Sequence, residues 1–496
     1  MKPAEGAVAL AYFAACVAIA LACRRRARGG SAAYWAAERG VGAWVNGVGT
    51  FSTLVSAASF LGFLGLTCRL GWSMTAIALG AGPTLAFVLS LLLVSGPLRR
   101  YSERRGKFTL SNFLMDRFGP AAGALSSALV ILIFSAYIVP QLIGGAAAAQ
   151  YVLGIPWRAA VAGIGAVFVF YVLVGGMLSV TWTDFLQGIL MFALMVGLAV
   201  TAVVHFGGPA AIAAGAERAR PYFLDVRPGV SVWTYVGFPL GITVFVLSSP
   251  HTIMRLFTAK DVRQGRSALS ITAALCLVFH LVGYFGVGAA ALVLKPDLAD
   301  GDSDRTYLYV MDALFPTLLR GLAVSAILAA IMSTTAGLLL AVGAEFSVNV
   351  YRRVLRPSAS DAESVRAGQV FMLLVGIATT LLALVETKTI GTIVGQLVQA
   401  MGSAFAVPLL AGLWWPRASR LGGFFSMAGG FGAYLIAHYG GLPAHLGPFT
   451  EILVALPASI FGLLLGTCLS PAPDPETRAW VASLHSRTAA EIPRLV

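Results

Sequence analysis

The sequence predicts an all-α polytopic membrane protein, and three observations carry that expectation. Of 496 residues, 58% are hydrophobic and 11% charged, and the mean hydropathy is +0.84. A soluble core saturates well below such an apolar fraction. The chain also divides into about thirteen apolar spans of membrane length: 6–22, 44–68, 72–97, 121–153, 157–178, 182–205, 233–254, 268–294, 316–350, 368–386, 389–412, 421–439 and 449–469. Finally, the basic residues fall on alternate connections. The clusters Arg24–Arg28, Arg99–Lys107, Arg255–Arg266, Arg352–Arg366, Arg417–Arg420 and Arg478–Arg494 hold the larger share of the 34 Lys and Arg. By the positive-inside rule this predicts an outside N-terminus and an inside C-terminus. The net charge of +13 is therefore a topology signal, and no nucleic-acid partner is expected.

The first span is read as a helix rather than a cleaved signal, because equally apolar spans follow it. The second, 46–65, reads NGVGTFSTLVSAASFLGFLG and is interrupted by small and hydroxylated residues throughout. Lipid does not tolerate unpaired backbone groups, so such a stretch either packs tightly or unwinds around a site. Segment 97–120 is expected to be an inner connection holding an interfacial amphipathic piece. Residues 206–232, with Pro209, Pro221 and Pro228, are expected to form an outer loop. A second interrupted span, 234–257, carries Gly237, Pro239 and Gly241 and then Ser248-Ser249-Pro250-His251, which predicts two breaks. The acidic stretch 295–315 lacks the terminal Glu of an EF-hand, so Asp297, Asp300, Asp302 and Asp304 are read as solvated. Cys16, Cys23, Cys68, Cys276 and Cys468 show no CxxC or metal spacing.

Each interrupted span opens a block of five, at about 44–205 and 233–412, and the second block enters the membrane from the opposite side. Discontinuous segments at matching positions of two inverted halves point to a secondary transporter with a midplane site. In 325–353 the adjacent hydroxyls of Ser333 and Thr334 lie on a long apolar helix. Facing the carbonyls of an unwound 46–65, they would supply an all-oxygen cage for a monovalent cation.

Further runs complete the pattern. They are STLVSAASFLG at 52–62; Gly175 and Gly176 followed by Thr183, Asp184 and Gln187; Pro250 and His251 followed by Arg255; and AAIMST at 329–334 with Tyr351 beyond it. In order and spacing the chain resembles the sodium:solute symporter family over about residues 5–470. The SAASFLG and 144–156 stretches look closest to its pantothenate and monocarboxylate branches. The resemblance implies a LeuT-like 5+5 inverted repeat within a transmembrane domain at 1–470. Peripheral helices would lie at 6–22, 421–439 and 449–469, and residues 471–496 would be an inner tail. It also implies that sodium, the co-transported ion, is held by the carbonyls of Ser52, Val55 and Ala330 and the hydroxyls of Ser333 and Thr334. Asp184 becomes a candidate for the ion path, since an intramembrane carboxylate is functional by default.

The family's proline symporters carry aromatics eight and four positions before the PH proline, where this chain has Ile242 and Val246. The expectation is accordingly a carboxylate such as pantothenate or a short-chain monocarboxylate. Ser56, Ser59, Gln141, Ser248 and Ser249 are the candidate donors. The competing classes are a membrane sensor, for which the roughly 26 residues after 470 are too few to hold a signalling domain, and proton coupling through Asp184 and Glu345. An enzyme is not expected, because the six His are scattered and no nucleophile–base pattern emerges.

Overall fold

A computed structural model of the chain describes residues 3–27, 29–75, 77, 82–225, 230–300, 303–385 and 390–486. Arg28, Pro228, Asp302, Arg487 and Arg494, which entered the reading above, lie outside the described residues.

The architecture is all-helical. Helix α1 (Pro3–Ala27) is followed by the bent pair α2 (Ala43–Leu54) and α3 (Ala58–Leu70). Then come α4 (Gly82–Arg105), a short α5 (Leu110–Phe118), α6 (Pro120–Leu153) and α7 (Trp157–His205). A second broken pair is α8 (Val232–Ser248) and α9 (Pro250–Thr258). The chain continues through α10 (Val262–Leu294), α11 (Thr317–Leu355), α12 (Asp361–Ala383) and α13 (Ile390–Trp414). It ends in α14 (Arg420–Tyr439), α15 (Ile452–Cys468) and α16 (Pro475–Ser483). Among the described residues nine helices are long and apolar enough to cross a membrane, or ten with α2 and α3 as one bent span.

Both interrupted spans are broken, each in one place. Between α2 and α3 the axis turns by 61°, with Val55 extended at ψ 106°. Between α8 and α9 the break is at Ser249, ψ 123°, just ahead of Pro250, where proline disfavours helix. The expected additional break at Gly237–Gly241 does not occur, and α8 runs through Pro239. The glycines serve close packing instead: a Cβ at Gly237 would lie 2.5 Å from the Phe449 carbonyl oxygen, and one at Gly241 2.9 Å from Gln399.

Helix α7 spans 49 residues, about 74 Å at 1.5 Å per residue, more than twice a hydrocarbon core. Gly176 interrupts it at φ 56°, ψ −160°, a conformation open to glycine, and its missing side chain lets Tyr34 approach. The sequence reading had divided the same stretch at 178–182.

Three expected surface segments prove to be packed. The expected interfacial piece α5 is buried along nearly its whole length, with Thr109 capping its N-terminus through a 3.1 Å bond from the Asn112 N–H. In the acidic stretch, Tyr307, Leu308, Val310 and Met311 are buried, and Asp304 accepts the Ile390 N–H at 3.2 Å, capping α13 rather than standing in solvent. The tail folds into α16, whose Trp480 is buried against Tyr101 and Phe113. Asp474 caps that helix, and the Thr477 N–H holds its carboxyl below the usual carboxylate range. A short helix also occupies Pro209–Ala219, within the segment expected to be a loop.

Candidate functional site

The site is built where the first break crosses α11. Helix α11 is buried on all faces from Ala323 to Ala344, so its hydroxyls have only protein to face. Ser333 Oγ donates to the Ser52 carbonyl at 2.8 Å and contacts the Ala330 carbonyl at 3.0 Å. Thr334 Oγ1 donates to the Thr53 carbonyl at 2.9 Å. Serine and threonine in a helix usually back-bond to their own fourth preceding carbonyl. Here both hydroxyls reach 281 residues across the chain to the last turn of α2, and only Ser333 also touches a carbonyl of its own helix. Ser52, Ala330, Ser333 and Thr334 are thus brought together, and Val55 is the fully buried residue at which α2 ends. Carbonyls freed at a helix end together with two hydroxyls make a hard-oxygen donor set suited to a small cation.

Next to these bonds lies a charged cluster. Asp184 on α7 forms a buried ion pair with Arg255 on α9. Thr53 Oγ1 lies 3.0 Å from both Asp184 Oδ2 and Arg255 Nη2, and Arg255 also donates to Thr181 Oγ1 at 3.1 Å. Asn46 of α2 donates to the Arg255 carbonyl at 2.9 Å. The two broken spans are therefore locked to one another and to α7. Gly49 lies against the pair, with its Cβ position 3.5 Å from Arg255 Nη1 and 3.7 Å from Asp184. Thr53 joins the two layers, with its carbonyl on Thr334 and its hydroxyl on the ion pair.

The solute candidates divide. Gln141 Oε1 accepts the Ala57 N–H at 3.0 Å, Ser56 Oγ accepts the Ala58 N–H at 3.1 Å, and Ser59 Oγ accepts the Ser56 N–H at 3.4 Å. These three satisfy backbone groups released by the break, and Gln141 keeps a buried Nε2 with no partner. Ser248 and Ser249 stay within their own segment: Ser248 back-bonds to Val244 at 2.7 Å, and Ser249 pairs with His251 Nδ1 at 2.8 Å. Glu345 is buried inside the bundle, accepting from Ser127 at 2.8 Å and Asn349 at 2.6 Å.

Sequence reasoning overlooked two features. Arg255 appeared as a motif residue and not as the partner of Asp184, although ionisable groups inside a membrane bundle pair with one another. It also overlooked the aromatic set of Phe134, Tyr137, Phe245 and His251, whose ring centroids lie 5.4–6.3 Å apart. Phe245 stands one residue from the aliphatic Val246, which by its motif position argues against a proline-type site.

A broken helix whose last turn meets two hydroxyls of a long buried helix, with a second broken helix packed beside it, fits the LeuT-like fold of secondary transporters. A model of the sodium:solute symporter family matches residues 34–430. The osmoregulated proline transporter OpuE of Bacillus subtilis is 30% identical over 445 residues, 88% of each chain. The sodium/proline symporter of Salmonella typhimurium is 28% identical over 442 residues, 86% of this chain and 85% of the relative. A solved Na+-coupled sialic acid symporter, in a substrate-bound outward-open state, superposes with a TM-score of 0.81 at 19% identity, covering 95% of this chain and 98% of its own. The chain belongs to the sodium:solute symporter family. It is a multi-pass integral protein of the cell membrane, a transporter rather than an enzyme, moving a small solute with sodium as the co-transported ion. The relatives above are proline transporters, so the likeness to the pantothenate and monocarboxylate branches is replaced by one to the proline branch.

Proposed function

We propose that the chain imports proline, or a closely similar small amino acid, in symport with sodium by alternating access. The observation that carries the reading is the pair of bonds from Ser333 and Thr334 to the carbonyls of Ser52 and Thr53. In this reading sodium sits among the carbonyls of Ser52, Val55 and Ala330 and the two hydroxyls, replacing those hydrogen bonds with ion–oxygen contacts. Bound sodium draws α2 onto α11 and, through Thr53, favours the locked Asp184–Arg255 layer. Solute then enters a site whose inner side is closed, and by linkage the solute raises sodium affinity by the same factor. The membrane potential adds about 2.3 kcal/mol per charge per 100 mV, enough with a modest gradient to concentrate the solute.

Proline replaces the earlier expectation of pantothenate or a short-chain monocarboxylate for two reasons. The curated relatives carry proline, and Tyr137 and Phe245 supply the aromatic wall that Ile242 and Val246 do not. Gln141 Nε2 is the donor for the carboxylate, with Ser56 and Ser59 holding the broken segment open. Asp184 acts as the inner lock rather than an ion ligand, because Arg255 already compensates its charge.

The same reading extends to topology. Adding the second half of α7, α14 and α15 to the ten apolar spans gives thirteen crossings, with the N-terminus outside and the C-terminus inside. The repeats at about 44–205 and 233–412 then form the core of a domain at 1–470.

The test is uptake of labelled proline into proteoliposomes in competition with pantothenate, acetate, pyruvate and a hexose. Inhibition by unlabelled proline alone, with weaker apparent affinity in Gln141→Ala and Phe245→Ala, is expected. Displacement by pantothenate or pyruvate, or unchanged affinity in both variants, would contradict the assignment.

A further inference from the structure

A cavity of about 830 Å³ opens on the membrane-facing side between α7 and α12, at the arginine-rich end of the bundle. Arg24, at the end of α1, and Arg366, on the first turns of α12, stand at its rim, both exposed. Its wall is apolar. Phe170, Leu173, Val370 and Leu373 line it, and Phe170, Val370 and Leu373 are each at least 41% exposed. A second cavity of about 410 Å³ shares Phe170, Leu173 and Leu373 with the first and continues along Ile377 and Leu381. The two form one groove along the surface of α12. From Ala362 to Leu373 the helix rises about 17 Å at 1.5 Å per residue, the depth of one leaflet of hydrocarbon.

The polar floor of the groove is already satisfied. Close to the break at Gly176, Tyr34 Oη and Gln369 Nε2 donate to the Leu173 carbonyl at 3.1 and 3.2 Å. The two guanidinium groups differ. The acids nearest along α12, Asp361 and Glu363, are held by Arg352 and Arg356. Among the described residues neither Arg24 nor Arg366 takes part in an ion pair. Two cations at the mouth of an apolar groove one leaflet deep match an amphiphile with a negatively charged head and a hydrocarbon tail.

We propose that this groove is a binding site for one anionic phospholipid, its phosphate between Arg24 and Arg366 and an acyl chain along Phe170, Leu173, Val370 and Leu373. Basic pockets between transmembrane helices at the inner face select anionic headgroups. The lipid would bridge α1, α7 and α12, elements that carry none of the oxygen donors of the ion site.

The experiment is native mass spectrometry of the delipidated full chain, titrated with phosphatidylglycerol or with phosphatidylcholine of identical acyl chains. Wild type, the double variant R24Q/R366Q and the groove-filling Leu373→Trp are compared, with thermal melting as the control for folding. The altered side chains are at the surface, so melting should be retained. Wild type is expected to bind one phosphatidylglycerol with a preference of about tenfold or more. The double variant should lose the preference, and Leu373→Trp should lose the bound lipid. Soluble glycerol phosphate, offered in excess, should not displace the lipid. An unchanged preference in both variants would overturn the proposal. So would displacement by glycerol phosphate with Leu373→Trp without effect, which would mark a phosphate site that takes no lipid.

Discussion

In the mechanism proposed above, Thr53 links the ion site to the Asp184–Arg255 pair, because its carbonyl faces Thr334 while its hydroxyl touches both members of that pair. Both charges are buried, and a buried pair is worth most when one partner is removed and the other left behind. Asp184→Asn should therefore lower stability by about 3–5 kcal/mol, read as thermal melting of the purified protein. Adding Arg255→Gln should restore part of that loss. A single variant as stable as wild type would show that Arg255 finds compensation elsewhere. Ser333 and Thr334 were legible in the sequence because adjacent hydroxyls on an apolar helix are conspicuous. Arg255 was not legible as the partner of Asp184, since 71 residues separate them and only the fold brings α7 and α9 together. The aromatic wall was hidden by register: Phe245 lies one place from the position inspected, and a break at Ser249 changes which side chains share a face.

At the scale of the element, glycine decides how closely the broken span can lie against its neighbours. A Cβ at Gly62 would fall 2.5 Å from the backbone nitrogen of Gly391, so α3 and α13 cross with their main chains in contact. Gly62→Ala should cost about 1–3 kcal/mol by overpacking. Sodium-dependent uptake should slow while the sodium concentration for half-maximal rate stays near its wild-type value, because Ser333 and Thr334 are untouched. Wild-type uptake in Gly62→Ala would mean the crossing relaxes without consequence. The breaks within 46–65 and at Ser248–His251 were readable from the sequence, whereas the further one expected at Gly237–Gly241 does not form. Pro239 sits inside a continuous helix, where the Thr243 hydroxyl bonds the Pro239 carbonyl at 2.8 Å, whereas Ser249 breaks because it precedes Pro250. Proline and glycine mark where a helix can be interrupted, and packing selects which of those places is used.

For the whole molecule, the apolar spans were enough to predict a helical membrane protein, and the two interrupted spans with the family motifs were enough to predict its transporter class. The packed state of α5, the stretch 303–314 and α16 was not, because short amphipathic segments read as loops until a surface receives them. The expected solute rested on two aliphatic positions, whereas over most of its length the chain resembles proline transporters. The central claim is that Ser333 and Thr334 couple sodium to solute movement. Its most direct measurement is proline uptake into proteoliposomes with and without an inward sodium gradient, for wild type, Ser333→Ala/Thr334→Ala and the hydroxyl-retaining Thr334→Ser. The account predicts gradient-driven uptake in wild type, loss of sodium dependence in the double alanine variant and recovery in Thr334→Ser. Sodium-driven accumulation that persists in the double alanine variant, or uptake that follows a proton gradient instead, would contradict it.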